Sequence, residues 1–205
     1  MTAEQLTRAE FGDEVRTHQG VAYRLKKPTL YVLVRGVKRL TQIIYPNDIG
    51  YICMRLGVGN GTRVIEAGSG AGSLTIALSW FSGEKGHVYT HEAREKSYKT
   101  VKKKLEWAGV GHNVTQYNRD IAEGFEQTDA DALFLDVRTP WEYLDQVARA
   151  VRPGASLAFL LHTVDQVSKL LYGLERGPFD DIEVEEILTR KWKPVPDRLR
   201  PDDRM

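Results

Sequence analysis

The sequence predicts an α/β fold in which a mostly parallel sheet carries helices on both faces. From Thr62 onwards, short apolar strands alternate with amphipathic helices, and a glycine-rich turn joins the first of these strands to its helix. This alternation is typical of parallel sheets, whose strands are buried on both sides. The chain of 205 residues, 41% hydrophobic and 28% charged, suffices for one core and is too apolar for a disordered protein.

A short β segment precedes the α/β part. Residues 16–30 combine a turn at Gly20, alternating apolar residues and a stop at Pro28, which predicts a hairpin. Asn47 or Asp48 is expected to cap a helix that ends at Gly57. We therefore expect a truncated N-terminal β domain over 1–40 and an α/β domain over 41–205.

The α/β part is predicted to alternate regularly to near its end. Strands are expected at 62–68, 86–92, 113–120, 131–136, 155–162 and 179–190, and helices at 71–81, 95–108, 141–152 and 164–175. The tail 191–205 contains three prolines and is expected to be an extended surface segment.

Composition also limits where the protein works. No apolar stretch approaches the roughly 18 residues that cross a bilayer, and the N-terminus lacks the basic flank and apolar run of a signal peptide. We therefore expect a cytoplasmic protein with no membrane partner. The single cysteine, Cys53, excludes an internal disulfide and is expected to be a buried helix residue. None of the five histidines has metal-ligand spacing, so no metal site is expected and all five are interpreted as structural or exposed.

The net charge of +1 conceals three basic runs along the chain. The first lies between Val15 and Asn47 and contains seven basic residues and no acidic one, the second covers 94–104, and the third covers 190–204. One run alone is typical of a solvated helix face. Two runs brought together by the fold would attract a polyanion, and nucleic acid is the obvious candidate.

The strongest local signal is the turn that contains Gly68, Gly70 and Gly72. Such a turn bends tightly and exposes bare backbone to a ligand near a helix N-terminus, although a tight turn without ligand is also compatible with it. The dinucleotide pattern places two residues between its second and third glycines, and here there is one. Glu66, which precedes the glycines, suits a ligand with a positive amino group or sulfonium.

Acidic residues end the next three predicted strands. Glu92 is placed to accept from ribose hydroxyls, Asp120 from an exocyclic adenine amine, and Asp136 lies next to the centre of the sheet. Each of these carboxylates on its own is also typical of a helix cap. Together they predict a nucleoside site beyond the carboxyl ends of the strands.

These residues resemble a Rossmann-like class I S-adenosylmethionine-dependent methyltransferase. More specifically, five segments resemble the tRNA adenine-N1 methyltransferase family, which makes 1-methyladenosine at position 58 of the T-loop. They are TQIIYPND, RVIEAGSGAGSLT, RDIAEGF, DALFLDVRTPW and KPVPDRLRPDDRM, and the resemblance covers roughly residues 12 to 205.

The resemblance implies S-adenosylmethionine as cofactor, tRNA as partner, and a homotetramer. It implies that the glycine loop holds the methionine portion of the cofactor, that Glu92 holds its ribose and that Asp120 holds its adenine amine. It also implies that Gln42 and Ser97 line the cofactor. Asp136 would be the catalytic residue, between the cofactor and the target base. The loop residues are Gly68, Ser69, Gly70, Ala71, Gly72 and Ser73. Tyr45 is a candidate for stacking on the substrate base, with a hydrophobic staple before the helix as its alternative, and Arg138 is a candidate RNA contact.

Two departures from the family pattern stand out. Arg138 occupies the first proline position of the usual D-x-P-x-P-W motif. The final antiparallel strand of the usual sheet has no counterpart, so we expect that the natural chain continues past Met205 or that a rearrangement or a partner chain completes the sheet. Two alternatives remain open: a class I methyltransferase that acts on a protein or small molecule, and a non-catalytic tRNA-binding subunit.

Overall fold

The computed structural model describes residues 3–37 and 43–202, without the side chains of residues 3 and 4. Its centre is a five-stranded parallel sheet of β3 (Arg63–Ala67), β4 (His87–His91), β5 (Val114–Tyr117), β6 (Ala130–Leu135) and β7 (Val151–Phe159). The strands lie in the order β5-β4-β3-β6-β7. The main helices are α3 (Pro46–Arg55), α4 (Ser73–Ser82), α5 (Glu95–Ala108), α6 (Leu144–Ala150) and α7 (Val164–Leu174). The predicted Rossmann-like sheet is confirmed.

Alternate strand residues build a hydrophobic core on each face of the sheet. Val64 and Phe134 pack with α4 and α5 on one face, whereas Ile65 and Leu133 pack with Val147 of α6 on the other. This division follows from the two-residue period of a strand. β3 lies between β4 and β6, so the strand order reverses beside it. A crevice at the carboxyl ends of β3 and β6 is therefore the expected ligand site.

The N-terminal hairpin is confirmed, with β1 (Glu14–Arg16) antiparallel to β2 (Ala22–Arg24). Two short helices, α1 (Ala3–Arg8) and α2 (Leu30–Gly36), were not predicted. The predicted cap of α3 is wrong, because the helix begins at Pro46 and Tyr45 occupies the N-cap position. Proline fits the first helical position because its φ is already helical and it has no N–H to satisfy.

The region after β6 also differs from the prediction. In place of one helix over 141–152, a 3₁₀ turn (Pro140–Glu142) precedes α6, and β7 already begins at Val151. Arg152 precedes Pro153, and a residue before proline is driven from helical to extended backbone. β7 pairs with β6 through a register shift between Ala130 and Ala132.

The predicted strand at 179–190 is wrong, since this segment has no strand structure. It lies along α3, where the Tyr51 hydroxyl donates to Glu185 at 2.6 Å, the Asn47 amide donates to Thr189 at 3.1 Å, and Arg55 pairs with Glu183. The following tail forms a small antiparallel pair, β8 (Trp192–Lys193) with β9 (Arg200–Pro201). Over the described ranges, β7 is therefore an edge strand. None of the helices that the structure describes is both long enough and apolar enough to span a bilayer.

Candidate cofactor site

The glycine loop lies directly against the strand end that carries Asp136. Gly68 adopts a left-handed φ of +89°, and a Cβ built there would come within 2.1 Å of the Asp136 carbonyl oxygen. The Gly68 N–H donates to the His91 carbonyl at 2.9 Å, and the Asp136 N–H donates to the Ala67 carbonyl at 2.8 Å. These bonds bring the ends of β3, β4 and β6 together, and glycine is required where their backbones meet.

A cavity of about 210 Å³ opens where these strands end. The glycine loop, the loop after β6 and the loop after β7 form its walls, and Ile43 and Ile44 close it from the N-terminal side. The remaining lining residues are Gly68, Gly70, Arg94, Asp136, Leu160 and His162. A smaller cavity beside it reaches Glu66, Ser69 and Ser73. Of the three acidic residues that predict the nucleoside site, Asp136 lines these cavities, whereas Glu92 and Asp120 line neither.

Glu92 is buried at the end of β4, and both of its carboxylate oxygens accept hydrogen bonds. Oε2 accepts from the Gly70 N–H at 2.9 Å, and Oε1 accepts from the Arg94 N–H at 2.9 Å and from its Nε at 3.0 Å. The Glu92 carboxylate raises the pKa of Arg94, mainly through this side-chain hydrogen bond. Oε2 also accepts from Nη2 of Arg94 at 3.4 Å. A carboxylate has about four acceptor positions, so Gly70 and Arg94 together occupy them in this structure.

Glu66 is fully enclosed beneath the glycine loop, with 1% of its surface exposed. Its Oε2 accepts from the hydroxyls of Thr75 at 2.7 Å and Thr90 at 2.6 Å. Burial raises the pKa of Glu66 to about 7, although the two threonine hydrogen bonds oppose this shift. A cationic ligand above the loop would favour the ionised form of this carboxyl.

Asp136 is part-buried on the opposite wall of the crevice. Burial raises the pKa of its carboxyl, whereas His162 and Arg94 lower it. Nε2 of His162 lies 3.8 Å from Oδ1 of Asp136. The crevice therefore has an acidic wall on each side, which suits a ligand with positive charge.

The same crevice contains unsatisfied hydrogen-bonding groups. The hydroxyls of Ser69 and Ser73 are buried without a partner in the described structure. Both residues line the smaller cavity, and no side chain caps the N-terminus of α4 at Gly72. Hydroxyls and helix N-terminal N–H groups bind carboxylates. The described residues thus fit a ligand that combines one carboxylate with positive charge, as S-adenosylmethionine does.

Other predicted site residues lie at or outside this crevice. Ser97 is buried in the first turn of α5 and does not line either cavity. The Asp120 side chain accepts from the Ala122 N–H at 2.9 Å and caps a 3₁₀ turn, which is the alternative role that its position allows. Tyr45 is 42% exposed beside Ile44, and Arg138 is exposed on the loop after β6. Gln42 lies outside the described residues.

Sequence reasoning missed two residues of the crevice. The sequence indicates only a structural or exposed role for His162 and places Arg94 only in a basic run, yet both line the cavity with Asp136. Each lies three residues after the end of a strand of the parallel sheet, and a position close behind a strand end was the available signal. Among residues 3–37 and 43–202, no group of three or more histidine, cysteine or acidic side chains is arranged to hold a metal ion.

Comparisons with known proteins show the family of the chain. A family model described as the tRNA methyltransferase complex GCD14 subunit matches residues 22–203. The tRNA (adenine(57)-N(1)/adenine(58)-N(1))-methyltransferase TrmI of Methanocaldococcus jannaschii is 30% identical, over 96% of this chain and 79% of that protein.

Two crystal structures are also similar. The tRNA (m1A58) methyltransferase TrmI from Aquifex aeolicus matches with a TM-score of 0.86 and 38% identity, over 98% of this chain and 79% of that one. A SAM-dependent O-methyltransferase from Thermotoga maritima matches with a TM-score of 0.92 and 40% identity, over 98% and 76% of the two chains. The chain therefore belongs to the family of the tRNA methyltransferase complex GCD14 subunit.

Proposed function

We propose that this protein transfers a methyl group from S-adenosylmethionine to N1 of adenine 58 in the T-loop of tRNA. The observation that carries the proposal is the contact between the glycine loop and Asp136, which sets a carboxylate at the wall of a crevice in a chain of this family. The similarity to proteins named tRNA (adenine-58-N1)-methyltransferases supports the choice of substrate and atom.

The crevice residues divide the binding of the cofactor between them. Ser69 and Ser73 offer unpaired hydroxyls to its carboxylate, and Glu66 and Asp136 offer negative charge to its amino and sulfonium groups. Glu92 is assigned to the ribose hydroxyls, which would replace the guanidinium of Arg94 as its hydrogen-bond donors. Ser97, Asp120 and Gln42 stay assigned to the cofactor on the family resemblance. When bound, S-adenosylmethionine supplies an electrophilic methyl group.

Asp136 is the proposed catalytic residue. Adenine N1 already has a lone pair, so the protein chiefly orients the base and excludes water, and such positioning is worth about 7 to 11 kcal/mol. Positive charge develops on the purine during transfer, and a carboxylate that accepts a hydrogen bond from the adenine amino group stabilises it. Because burial raises the pKa of Asp136, the ionised and active form is lost as the pH falls.

Basic surface residues support tRNA as the partner. A Cβ at Gly36 would lie 3.1 Å from the Trp107 side chain, so the end of α2, which carries Arg35, contacts the end of α5. The exposed face of α5 carries Lys96, Lys102 and Lys103. Arg35 of the first basic run thus lies on a helix that contacts the helix of the second run, and a surface of this charge binds phosphates with an affinity that falls with salt. Tyr45 and Arg138 are proposed contacts of the target base and its neighbours.

Mass mapping of tRNA after incubation with protein and S-adenosylmethionine tests the proposal. We expect a methyl group on the base at position 58 and none when a transcript carries guanine there. A ribose methyl group would instead support an O-methyltransferase, as the Thermotoga maritima protein is named. Binding of tRNA without product or measurable affinity for S-adenosylmethionine would leave only a non-catalytic subunit.

An Asp136→Asn variant tests the proposed catalytic residue. Loss of one charge-stabilising group in a pocket typically lowers kcat by about 10² to 10³-fold, and we expect this loss with cooperative unfolding retained. Asp145→Asn on the exposed side of α6 is the matched control and should keep full activity. Equal activity of the two variants would contradict the assignment.

The boundaries and assembly are also proposals. Hairpin β1–β2 forms its own sheet, which supports a division into 1–40 and 41–205. Edge strand β7 and the family resemblance support a homo-oligomer, with a tetramer as the expected state. Light scattering of the purified protein measures this directly, and a monomer at micromolar concentration would contradict it.

A further inference from the structure

The side-chain amide of Gln166 joins two loops at the rim of the crevice. Gln166 lies in the first turn of α7, and its Nε2 donates to the Arg138 carbonyl at 3.0 Å. Its Oε1 accepts from the His162 backbone N–H at 3.0 Å. Arg138 follows Asp136 by two residues, and His162 belongs to the loop after β7. One amide therefore fixes the spacing between the loop of Asp136 and the loop of His162.

Helix capping accounts for only some of the hydrogen bonds of Gln166. Thr163 is the N-cap of α7 and accepts from the Gln166 N–H at 3.2 Å, as in a capping box. Capping explains the direction of Oε1 only in part, because Oε1 of Gln166 accepts from the N–H of His162 and not from that of the N-cap residue Thr163. It does not explain the bond from Nε2 to the Arg138 carbonyl, which leads away from the helix to a different strand end.

His162 faces Asp136 across the crevice that this amide spans. Its Nε2 lies 3.8 Å from Oδ1 of Asp136, and both side chains line the cavity with Arg94. The His162 side chain is 64% exposed, so it stands at the open end of the crevice, whereas Asp136 is 31% exposed. The imidazole is thus the boundary between solvent and the proposed catalytic carboxylate.

Four charged or titratable groups face Asp136 from the elements packed around it. Glu66 lies at the end of β3, Glu92 and Arg94 follow β4, and His162 follows β7. The two glutamates disfavour the ionised form of the Asp136 carboxyl. Arg94 favours the ionised form, but its guanidinium is already bonded to Glu92. His162, when protonated, is the cation that approaches Asp136 from the β7 side.

We propose that Gln166 and His162 are positioning residues for methyl transfer: Gln166 sets the distance between the two loops, and His162 orients Asp136 and favours its ionised form. This inference rests on the proposed function, because it assigns both residues a role through Asp136. Neither residue is required to touch the reacting atoms. Gln166 acts through two backbone groups, and His162 acts through charge and contact.

Two substitutions of Gln166 separate positioning from capping. Gln166→Glu keeps the length and the acceptor that a capping box needs but loses the donor to Arg138, whereas Gln166→Met loses both. We expect each to lower kcat about tenfold, within the loss of up to about 100-fold that a 1 Å misplacement causes, with KM for tRNA changed less than twofold. Gln146→Met on α6 is the matched control, because Gln146 does not line the crevice. Wild-type kcat in Gln166→Glu would overturn the positioning role.

His162→Gln tests the charge on Asp136, with exposed His112→Gln as its control. Removal of an opposite charge 3.8 Å away should raise the pKa of Asp136. The acid limb of kcat/KM should therefore move to higher pH by about half a unit to one unit. Carboxyl ¹³C NMR of Asp136 in the cofactor-free protein gives the same midpoint without turnover. An unchanged midpoint in His162→Gln would overturn the role of His162.

The outcomes distinguish this inference from the proposed function. An active wild type whose Gln166 and His162 variants match their controls overturns the inference alone. A wild type that methylates no tRNA overturns both the proposed function and the positioning roles. The NMR titration still reports in that case whether His162 and Asp136 interact.

Discussion

Replacing Gly68 with alanine tests whether the glycine loop must touch the backbone of Asp136. The φ of +89° at Gly68 costs an alanine roughly 1 to 2 kcal/mol. Its Cβ would also come within 2.1 Å of the Asp136 carbonyl oxygen and 2.9 Å of the carbonyl carbon. Both are backbone atoms of Asp136, the part-buried residue that follows β6, so relief requires movement of the loop or of β6, and such overpacking costs about 1 to 3 kcal/mol more. We expect a total loss of roughly 2 to 5 kcal/mol in the free energy of unfolding.

Gly61→Ala supplies the matched control, because Gly61 has a φ of +100° and a Cβ built there would meet no atom within 4 Å. It should lose only the backbone term of about 1 to 2 kcal/mol. Urea unfolding followed by tryptophan fluorescence measures both, with an unchanged m-value as the check that the transition is the same. Calorimetry should show that Gly61→Ala binds S-adenosylmethionine normally and that Gly68→Ala binds it weakly. Equal stability and equal affinity of the two variants would refute the reasoning.

Three further predictions follow from the same contacts. Glu92→Gln should weaken S-adenosylmethionine binding by about 1.5 to 3 kcal/mol, as measured by calorimetry. Glu95→Gln, at the exposed start of α5, is the control and should bind the cofactor like the wild type. Similar losses of affinity in both variants would contradict the role of Glu92. Burial raises the pKa of Glu66 from 4.5 to about 7, so the folded state binds the proton more tightly than the unfolded state, and the stability of the wild type falls as the pH rises between these values. The Glu66→Gln variant should lack this fall, so its free energy of unfolding should gain up to about 3 kcal/mol relative to the wild type between pH 5 and pH 8. Parallel pH profiles of the two proteins would disprove this prediction. Arg55→Ala should release the segment at 180–190 from α3, so limited proteolysis should cleave this segment faster. High salt should have the same effect on the wild type, because it screens the ion pairs. Cleavage no faster than in an Arg149→Ala control would argue against the contact.

The parts of the fold that the sequence predicts are those set by local pattern. Apolar runs fix β3 and β6, and the helical period fixes α5 over the residues predicted for it. The glycine spacing and the acids at strand ends locate the crevice, because parallel strands share one carboxyl edge. Glu92 and Asp136 therefore could be placed beside the glycine loop before any contact was known.

Contacts between distant segments could not be predicted in this way. Local apolar spacing favours a strand at 179–190, but a strand needs a neighbour, and this segment instead pairs with α3 through Tyr51 and Arg55. His162 and Gln166 belong to a loop and a helix whose pattern says nothing about Asp136. Their roles depend on the register of β6 with β7, which only the folded chain determines. Asp120 caps a 3₁₀ turn, a local contact that the strand-end argument does not consider, and its contact with the cofactor stays a prediction.

A crystal structure of the protein soaked with S-adenosylmethionine tests the central claim most directly. We predict electron density for the ligand between the glycine loop and Asp136, with its carboxylate at Ser69 and Ser73 and its ribose at Glu92. Density elsewhere on the molecule, or an empty crevice at a ligand concentration that saturates binding in solution, would contradict the account.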